Sequence, residues 1–357
     1  LNKEKKAVLV LSDGSVFSGT GFGATCSKVG EIVFTTNMTG YEESLTDPSY
    51  AGQILVSTYP LIGNYGTAPE WTESKKMWVQ GYAIRKLCDL PHHEMSKSPL
   101  HLRMENEGVP GICGIDTRLL VKKIRNAGVM PACICTYEKE ADTGQMLQMA
   151  KKLDYSKINF VEKVSVGKAT SFGKGSKKVV LIDYGAKMGI VRELNMRGVE
   201  VIVVPYNTPA EEIMAFSPKG ILLANGPGDP ALLVKESEEV KKLYDLPLFG
   251  ICLGNQVLAK SAGAKTFKLK FGHRGGNHPV LDLKENKVTI TTQNHGYAID
   301  EKSLPAEFEV THKNLTDNTV EGISHKQLPI FAVQHHPEAN PGSCDSKHLF
   351  DKFVKML

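Results

Sequence analysis

Between residues 179 and 263 short apolar runs alternate with segments of helical spacing, and few architectures accept that rhythm. Residues 179–183, 199–204, 220–223 and 248–251 are continuous apolar runs of strand length, without the polar alternation of a half-exposed strand. Residues 188–197, 208–216 and 232–244 lie between them and place their apolar side chains at helical intervals. Runs of this kind predict an α/β domain: a doubly wound, mostly parallel sheet with helices on both faces. Ligands in such sheets collect at the carboxyl ends of the strands. Three of those ends are marked here: Asp183-Tyr184-Gly185, Asn225-Gly226-Pro227-Gly228-Asp229-Pro230, and the turn at Cys252.

The third end carries the chemistry. Leu248–Ile251 reads as a buried strand, and Val257, Leu258 and Ala259 read as a helix that stops at Gly263. Cys252 therefore stands at a strand-to-helix turn between Gly250 and Gly254, where a Cβ on either neighbour has little room. A helix N-terminus favours a thiolate over a thiol, and the thiolate is the nucleophile. The motif alone also fits a buried structural cysteine, so it needs partners elsewhere. Residues 330–333 form another apolar run that ends in Gln334-His335-His336-Pro337-Glu338. A histidine at a strand end, two residues before a carboxylate, can be a base with its orienting group. The same residues alone also suit a structural or metal-related role, although the adjacent histidines lack helical zinc spacing and no third ligand is evident.

The N-terminal half is organised differently. Residues 7–11, the turn Asp13-Gly14 and residues 15–17 predict a β-hairpin, and residues 31–35 and 54–58 predict further strands. Gly19-Thr20-Gly21-Phe22-Gly23 lacks dinucleotide spacing and is expected to be a plain turn. Residues 36–50 form a polar stretch with turn formers, expected to be an ordered functional loop with one short helix. Asp116 or Thr117 caps a helix that includes Leu119, Leu120 and Ile124. Residues 162–178 are rich in Gly, Ser and Lys. The expected division is an N-terminal domain over 1–162, a linker over 163–177 and a C-terminal domain over 178–357. The tail 347–357 puts Leu349, Phe350, Phe353, Val354 and Leu357 on one helical face, as core packing requires.

Composition excludes several classes. A 357-residue chain with 41% hydrophobic and 23% charged residues is that of a two-domain globular protein. A net charge of +4 without a basic stripe argues against nucleic acid, and no apolar run approaches the ~20 residues of a membrane span. Residues 1–6 are lysine-rich but lack a following signal-peptide core. Seven cysteines without a paired Cys-x-x-Cys pattern fit reduced thiols, hence a cytoplasmic setting.

Gly250-Ile251-Cys252-Leu253-Gly254-x-Gln256, with Gln334-x-His336-Pro337-Glu338, resembles the class I, triad-type glutamine amidotransferases. The resemblance implies Cys252 as nucleophile, His336 as general base and acid, and Glu338 as the group that orients the imidazole. Residues 225–229 match that family's oxyanion loop, which implies the amides of Gly226 and Leu253 as oxyanion donors. Residues 36–50 (TTNMTGYEESLTDPSY from Thr35 onward), 59–66 (YPLIGNYG), 114–118 (GIDTR), Asn277 to Pro279 and 293–297 (QNHGY) are similar to the small subunit of carbamoyl-phosphate synthetase. That similarity spans nearly the whole chain. It implies a glutamine site of Ser49, Gly226, Gly228, Leu253, Gln256, Asn294, Gly296 and Tyr297, with no metal.

It further implies glutamine hydrolysis to glutamate and ammonia, which passes to a large subunit that makes carbamoyl phosphate from bicarbonate and ATP, for arginine or pyrimidine synthesis. The chain holds no Gly-x-x-x-x-Gly-Lys-[Ser/Thr] phosphate loop, so no cofactor is expected here, and ATP and Mg are expected in the partner. Two positions depart from the family pattern: Asn255 where relatives often carry histidine, and His335 where they often carry phenylalanine. An amidotransferase of another synthase and a non-catalytic scaffold are the rival readings. The N-terminal motifs disfavour the first and the complete Cys252, His336 and Glu338 set disfavours the second.

Overall fold

The computed structural model describes residues 5–357; the first four, part of the lysine-rich start, lie outside the described residues. The chain divides into two compact units, residues 1–158 and 159–357.

The first unit contains strands β1 (Lys6–Leu11), β2 (Val16–Gly23), β3 (Ser27–Thr35), β4 (Gln53–Ser57), β5 (Leu61–Ile62), β6 (Gly81–Ala83), β7 (Lys86–Leu87), β8 (Pro110–Cys113) and β9 (Met130–Tyr137). Helices α1 (Tyr41–Thr46), α2 (Leu100–Asn106), α3 (Thr117–Ala127) and α4 (Thr143–Lys151) connect them. Seven of these strands close into a barrel in the order β1-β2-β8-β6-β4-β3-β9, so their edges are paired with one another. The expected hairpin is present, with Leu9 opposite Phe17. Residues 19–23 are not the expected turn but the second half of β2. Their glycines allow close approach: a Cβ at Gly19 would lie 2.3 Å from the Cys113 carbonyl oxygen of β8. The polar loop 36–50 holds the one short helix expected, α1, followed by a 3-10 turn Pro48–Tyr50. Asp116 caps α3 through a 2.9 Å bond from the Leu119 amide.

The second unit begins with α5 (Val161–Val164) and β10 (Thr170–Phe172), followed by β11 (Lys177–Asp183), α6 (Met188–Met196), β12 (Val199–Pro205), α7 (Ala210–Ala215), β13 (Gly220–Leu223), α8 (Val234–Lys241), β14 (Leu248–Ile251) and α9 (Leu253–Ser261). Then come β15 (Thr266–Asp282), β16 (Lys287–Ile299), β17 (Phe308–Asn314), β18 (Val320–His325), β19 (Ile330–Val333) and α10 (His348–Met356). They form a ten-stranded sheet in the order β10-β12-β11-β13-β14-β19-β18-β17-β15-β16. The run β12-β11-β13-β14-β19 is parallel, and antiparallel strands flank it on both sides. The stretch 163–177, expected as a linker, instead supplies the end of α5 and the edge strand β10, which pairs with β12 through Ser171 and Ile202. Its polar composition suits an exposed edge.

Alternate residues of β11 enter different cores. Val180 and Ile182 pack with Leu253, Val257 and Leu258 of α9, whereas Val179 and Leu181 pack with Ile190 and Leu194 of α6 and Phe350 and Phe353 of α10. Both faces are thus covered by helices, which is why these strands read as unbroken apolar runs. β11, β13, β14 and β19 are successive parallel neighbours, so their carboxyl ends share one edge.

Candidate active site

Cys252 is the residue between β14 and α9, and its backbone has φ +55° and ψ −105°. Positive φ on a residue with a Cβ costs on the order of 1–3 kcal/mol and persists only when its surroundings over-determine it. Here they do. The Cys252 amide donates to the Val333 carbonyl of β19 at 2.9 Å, while its own carbonyl accepts from Asn255 and Gln256 in the first helical turn. The neighbouring glycine answers a different demand: a Cβ on Gly254 would meet the Leu223 carbonyl oxygen of β13 at 2.2 Å. α9 can therefore sit directly against the sheet. The amides of Leu253 and Gly254 open the helix, where no intrahelical acceptor exists. Gly226 lies against this helix start, since a Cβ there would be 2.9 Å from Leu253 Cδ2 and 2.1 Å from the Tyr184 carbonyl oxygen. Gly228, at φ +91°, turns the same loop.

His336 and Glu338 follow β19, the strand beside β14. The His336 amide donates to the Thr292 carbonyl at 2.9 Å, and its Nδ1 lies 2.7 Å from Glu338 Oε1. Both side chains are buried, and so is Cys252. Burial alone would lower the imidazole pKa. The Glu338 carboxylate, and after it the adjacent Cys252, outweigh that and push it up to about 10 from the ordinary 6.5. With Nδ1 committed to Glu338, Nε2 is the buried nitrogen left to exchange a proton with the Cys252 thiol. Cys252 Sγ also lies 3.6 Å from the Asn294 carbonyl of β16.

Glu338 does not stand alone. Burial pushes its carboxyl up, but Lys187, followed by His336, brings it down to about 2. Lys187 Nζ is 3.0 Å from Glu338 Oε1 and donates to the Ala339 carbonyl at 2.5 Å, with its side chain only 2% exposed. Lys187 precedes α6, and its amide donates to Asn225 Oδ1 at 3.1 Å. The loop that leads to it is shaped by Asp183 Oδ1, which accepts from the Gly185 and Ala186 amides at 2.9 and 2.6 Å. Sequence reading missed Lys187. The available signal was a lone lysine at a marked strand end, directly after Asp183-Tyr184-Gly185-Ala186.

The other sequence-derived residues fall as follows. Gln256 Nε2 donates to the Tyr297 carbonyl at 2.9 Å and to Gln334 Oε1 at 3.0 Å, so its amide ties α9 to β16 and to the end of β19. Asn294, Gly296 and Tyr297 lie along β16, with Asn294 beside the sulfur. Ser49 belongs to the first unit, buried in the 3-10 turn with its amide on Asp47 Oδ1 at 2.9 Å. Of the two departures, Asn255 is fully buried and donates to Gln334 Oε1 at 3.3 Å. His335 is buried with no hydrogen-bond partner on either nitrogen, and burial holds its pKa well below 6.5, so it is a neutral ring.

The family model for glutamine amidotransferase class-I matches residues 180–356, and that for the carbamoyl-phosphate synthase small chain, CPSase domain, matches residues 9–134. A carbamoyl phosphate synthase small chain of Akkermansia muciniphila is 47% identical over 364 residues, covering 99% of this chain and 97% of its own. That of Archaeoglobus fulgidus is 49% identical over 355 residues, covering 99% of both. The chain belongs to the carbamoyl-phosphate synthase small chain family. Its second unit is accordingly a class-I glutamine amidotransferase domain, and the Cys252 turn lies inside that match. Its first unit contains the domain particular to the small chain. This removes the rival reading as an amidotransferase of another synthase.

Proposed function

We propose that Cys252, His336 and Glu338 hydrolyse the side-chain amide of glutamine, as befits a glutamine-hydrolysing carbamoyl-phosphate synthase subunit. The observation that carries this is the buried line from the strained Cys252 through His336 to Glu338, closed by the 2.7 Å imidazole–carboxylate bond. Sulfur attacks the amide carbon, and the carbonyl π pair moves to oxygen, which faces the amides of Leu253 and Gly226. As the C–O double bond re-forms, the C–N bond breaks and His336 gives its proton to the departing ammonia. The neutral imidazole then takes a proton from water, whose oxygen attacks the thioester. Glutamate leaves as sulfur returns.

Within the second unit, glutamine is assigned to Gly228, Gln256, Asn294, Gly296 and Tyr297 together with the oxyanion amides. The ammonia goes to a large subunit that uses bicarbonate, ATP and Mg to make carbamoyl phosphate, for arginine or pyrimidine synthesis in the cytoplasm. Neither nucleic acid nor a membrane is assigned as a partner. Among the described residues no helix is long and apolar enough to cross one. The test is Cys252→Ser in the complex reconstituted with its large subunit. Serine keeps the shape of the turn but is rarely ionised at neutral pH. Carbamoyl phosphate from glutamine should fall by several orders of magnitude, while synthesis from ammonium persists. Equal loss from both nitrogen sources, or loss from neither, refutes the assignment.

A further inference from the structure

Besides the triad, three buried side chains from different strands of the second unit converge: His273 on β15, His295 on β16 and Glu321 on β18. One ligand-capable atom from each lies within 4.8 Å of the other two. His273 Nδ1 is 3.5 Å and His295 Nε2 is 4.0 Å from Glu321 Oε1. Nitrogen and oxygen ligands at ordinary zinc distances stand roughly 3.4 Å apart in a tetrahedron. The His273–Glu321 pair fits, the His295–Glu321 pair needs about half an ångström of closure, and the two ring nitrogens, within 4.8 Å, draw together around the ion.

The outer contacts orient both rings for ligation. His295 Nδ1 is 2.7 Å from the Tyr297 carbonyl oxygen. A carbonyl can only accept, so Nδ1 carries the proton there and Nε2 points a lone pair inward. His273 Nε2 is 2.8 Å from Asp317 Oδ2, which leaves Nδ1 facing Glu321. A ring nitrogen bound to metal with the other N–H on a carboxylate or backbone carbonyl is the usual arrangement of ligating histidines. Glu321 is held in the same manner, accepting from Gln293 Nε2 at 2.7 Å and from Asn314 Nδ2 at 3.0 Å. Asn314 Nδ2 also stands 3.4 Å from His273 Nδ1, a long contact that a cation would replace.

What these bonds leave unsatisfied is the informative part. His295 Nε2 is buried without a hydrogen-bond partner, 4.0 Å from Glu321 Oε1, which itself accepts from Asn314 Nδ2. A buried lone pair that faces neither a donor nor a cation is unfavourable. We propose that His273 Nδ1, His295 Nε2 and Glu321 Oε1 bind one divalent first-row cation, zinc foremost. Two imidazoles select such a metal over magnesium or calcium, and Glu321 with Asp317 balances its charge. The role is structural. His295 directly follows Asn294, whose carbonyl contacts the Cys252 sulfur, so the ion pins β16 to β15 and β18 beside the nucleophile.

The experiment uses the full chain, stripped with chelator and titrated with Co²⁺ and Zn²⁺, and reads binding rather than glutamine turnover. Expected are one equivalent of Co²⁺ with visible d–d absorption, its displacement by Zn²⁺, and a raised Tm with zinc. Glu321→Gln and His295→Gln should each weaken binding by at least about 100-fold, the upper range for loss of a supporting contact alone. X-ray absorption of the zinc-loaded wild type reports the ligands without any variant, and an imidazole and oxygen shell supports the site. Absence of Co²⁺ absorption, sulfur in the shell, or undiminished binding in both folded variants overturns it.

Discussion

Glu338→Gln removes one buried charge and almost no volume, which makes it the sharpest probe of how the imidazole is tuned. The native carboxylate pairs with His336 Nδ1 at 2.7 Å and Lys187 Nζ at 3.0 Å. Burial would lower the imidazole pKa, yet Glu338 and then Cys252 hold it at about 10 against 6.5. That rise is worth about 5 kcal/mol of preference for the imidazolium. Glu338 is the larger favourable source, so losing its charge should lower the imidazole pKa and deplete the imidazolium. Glutamate release by the variant should show kcat/KM reduced about 10²-fold or more at neutral pH. The sign of the pH effect follows. The native imidazolium persists until pH rises through about 10, and without Glu338 that alkaline limit moves down. At the acid end, Glu338 is held at about 2 by Lys187 and His336 despite its burial. The stability it contributes is present above the ordinary carboxylate range and is lost as pH falls through about 2. A folded Glu338→Gln variant with native kcat/KM and an unmoved alkaline limb would refute this account.

Three further outcomes are expected. His336→Asn abolishes glutamine turnover whereas His335→Phe retains most of it, because only His336 engages Glu338; steady-state glutaminase rates of the two variants check this, and the reverse order would invalidate the assignment. Lys187→Met strips a buried carboxylate of one of its two cations and should cost about 3–5 kcal/mol of stability, read from urea unfolding, with turnover reduced in the folded fraction. Gly254→Ala drives a methyl to 2.2 Å from the Leu223 carbonyl oxygen, so α9 must lift off the sheet; a loss of about 1–3 kcal/mol by thermal melting is expected together with a large fall in activity.

Much of the architecture was legible because its signals are local. An unbroken apolar run marks a strand covered on both faces, and β11, β13, β14 and β19 stand where those runs lie. The turn at Cys252 was readable for the same reason, since strand, cysteine and helix follow one another in the chain. The resemblance supplied the rest of the triad. The geometry bears out the reason read for the glycine two residues after the nucleophile, the lack of room for a Cβ. Gly254 is small because a neighbouring strand lies against it, and it is Cys252 itself that adopts positive φ. The Gly19–Gly23 stretch was read as a turn because glycine breaks local patterns, whereas in the barrel it permits close strand approach.

Tertiary structure alone decided the interactions between distant positions. Lys187 meets Glu338 across 151 positions of chain because the ends of β11 and β19 share one sheet edge. A lone lysine between Ala186 and Met188 does not by itself name its buried partner. Likewise His273, His295 and Glu321 carry no short-range metal spacing and meet only because β15, β16 and β18 lie in one sheet. Periodicity is dictated residue by residue through backbone geometry and burial, so the sequence suffices for it. Pairing of buried charges and lone pairs depends on which strand ends become neighbours, and that is determined only when the sheet order is set.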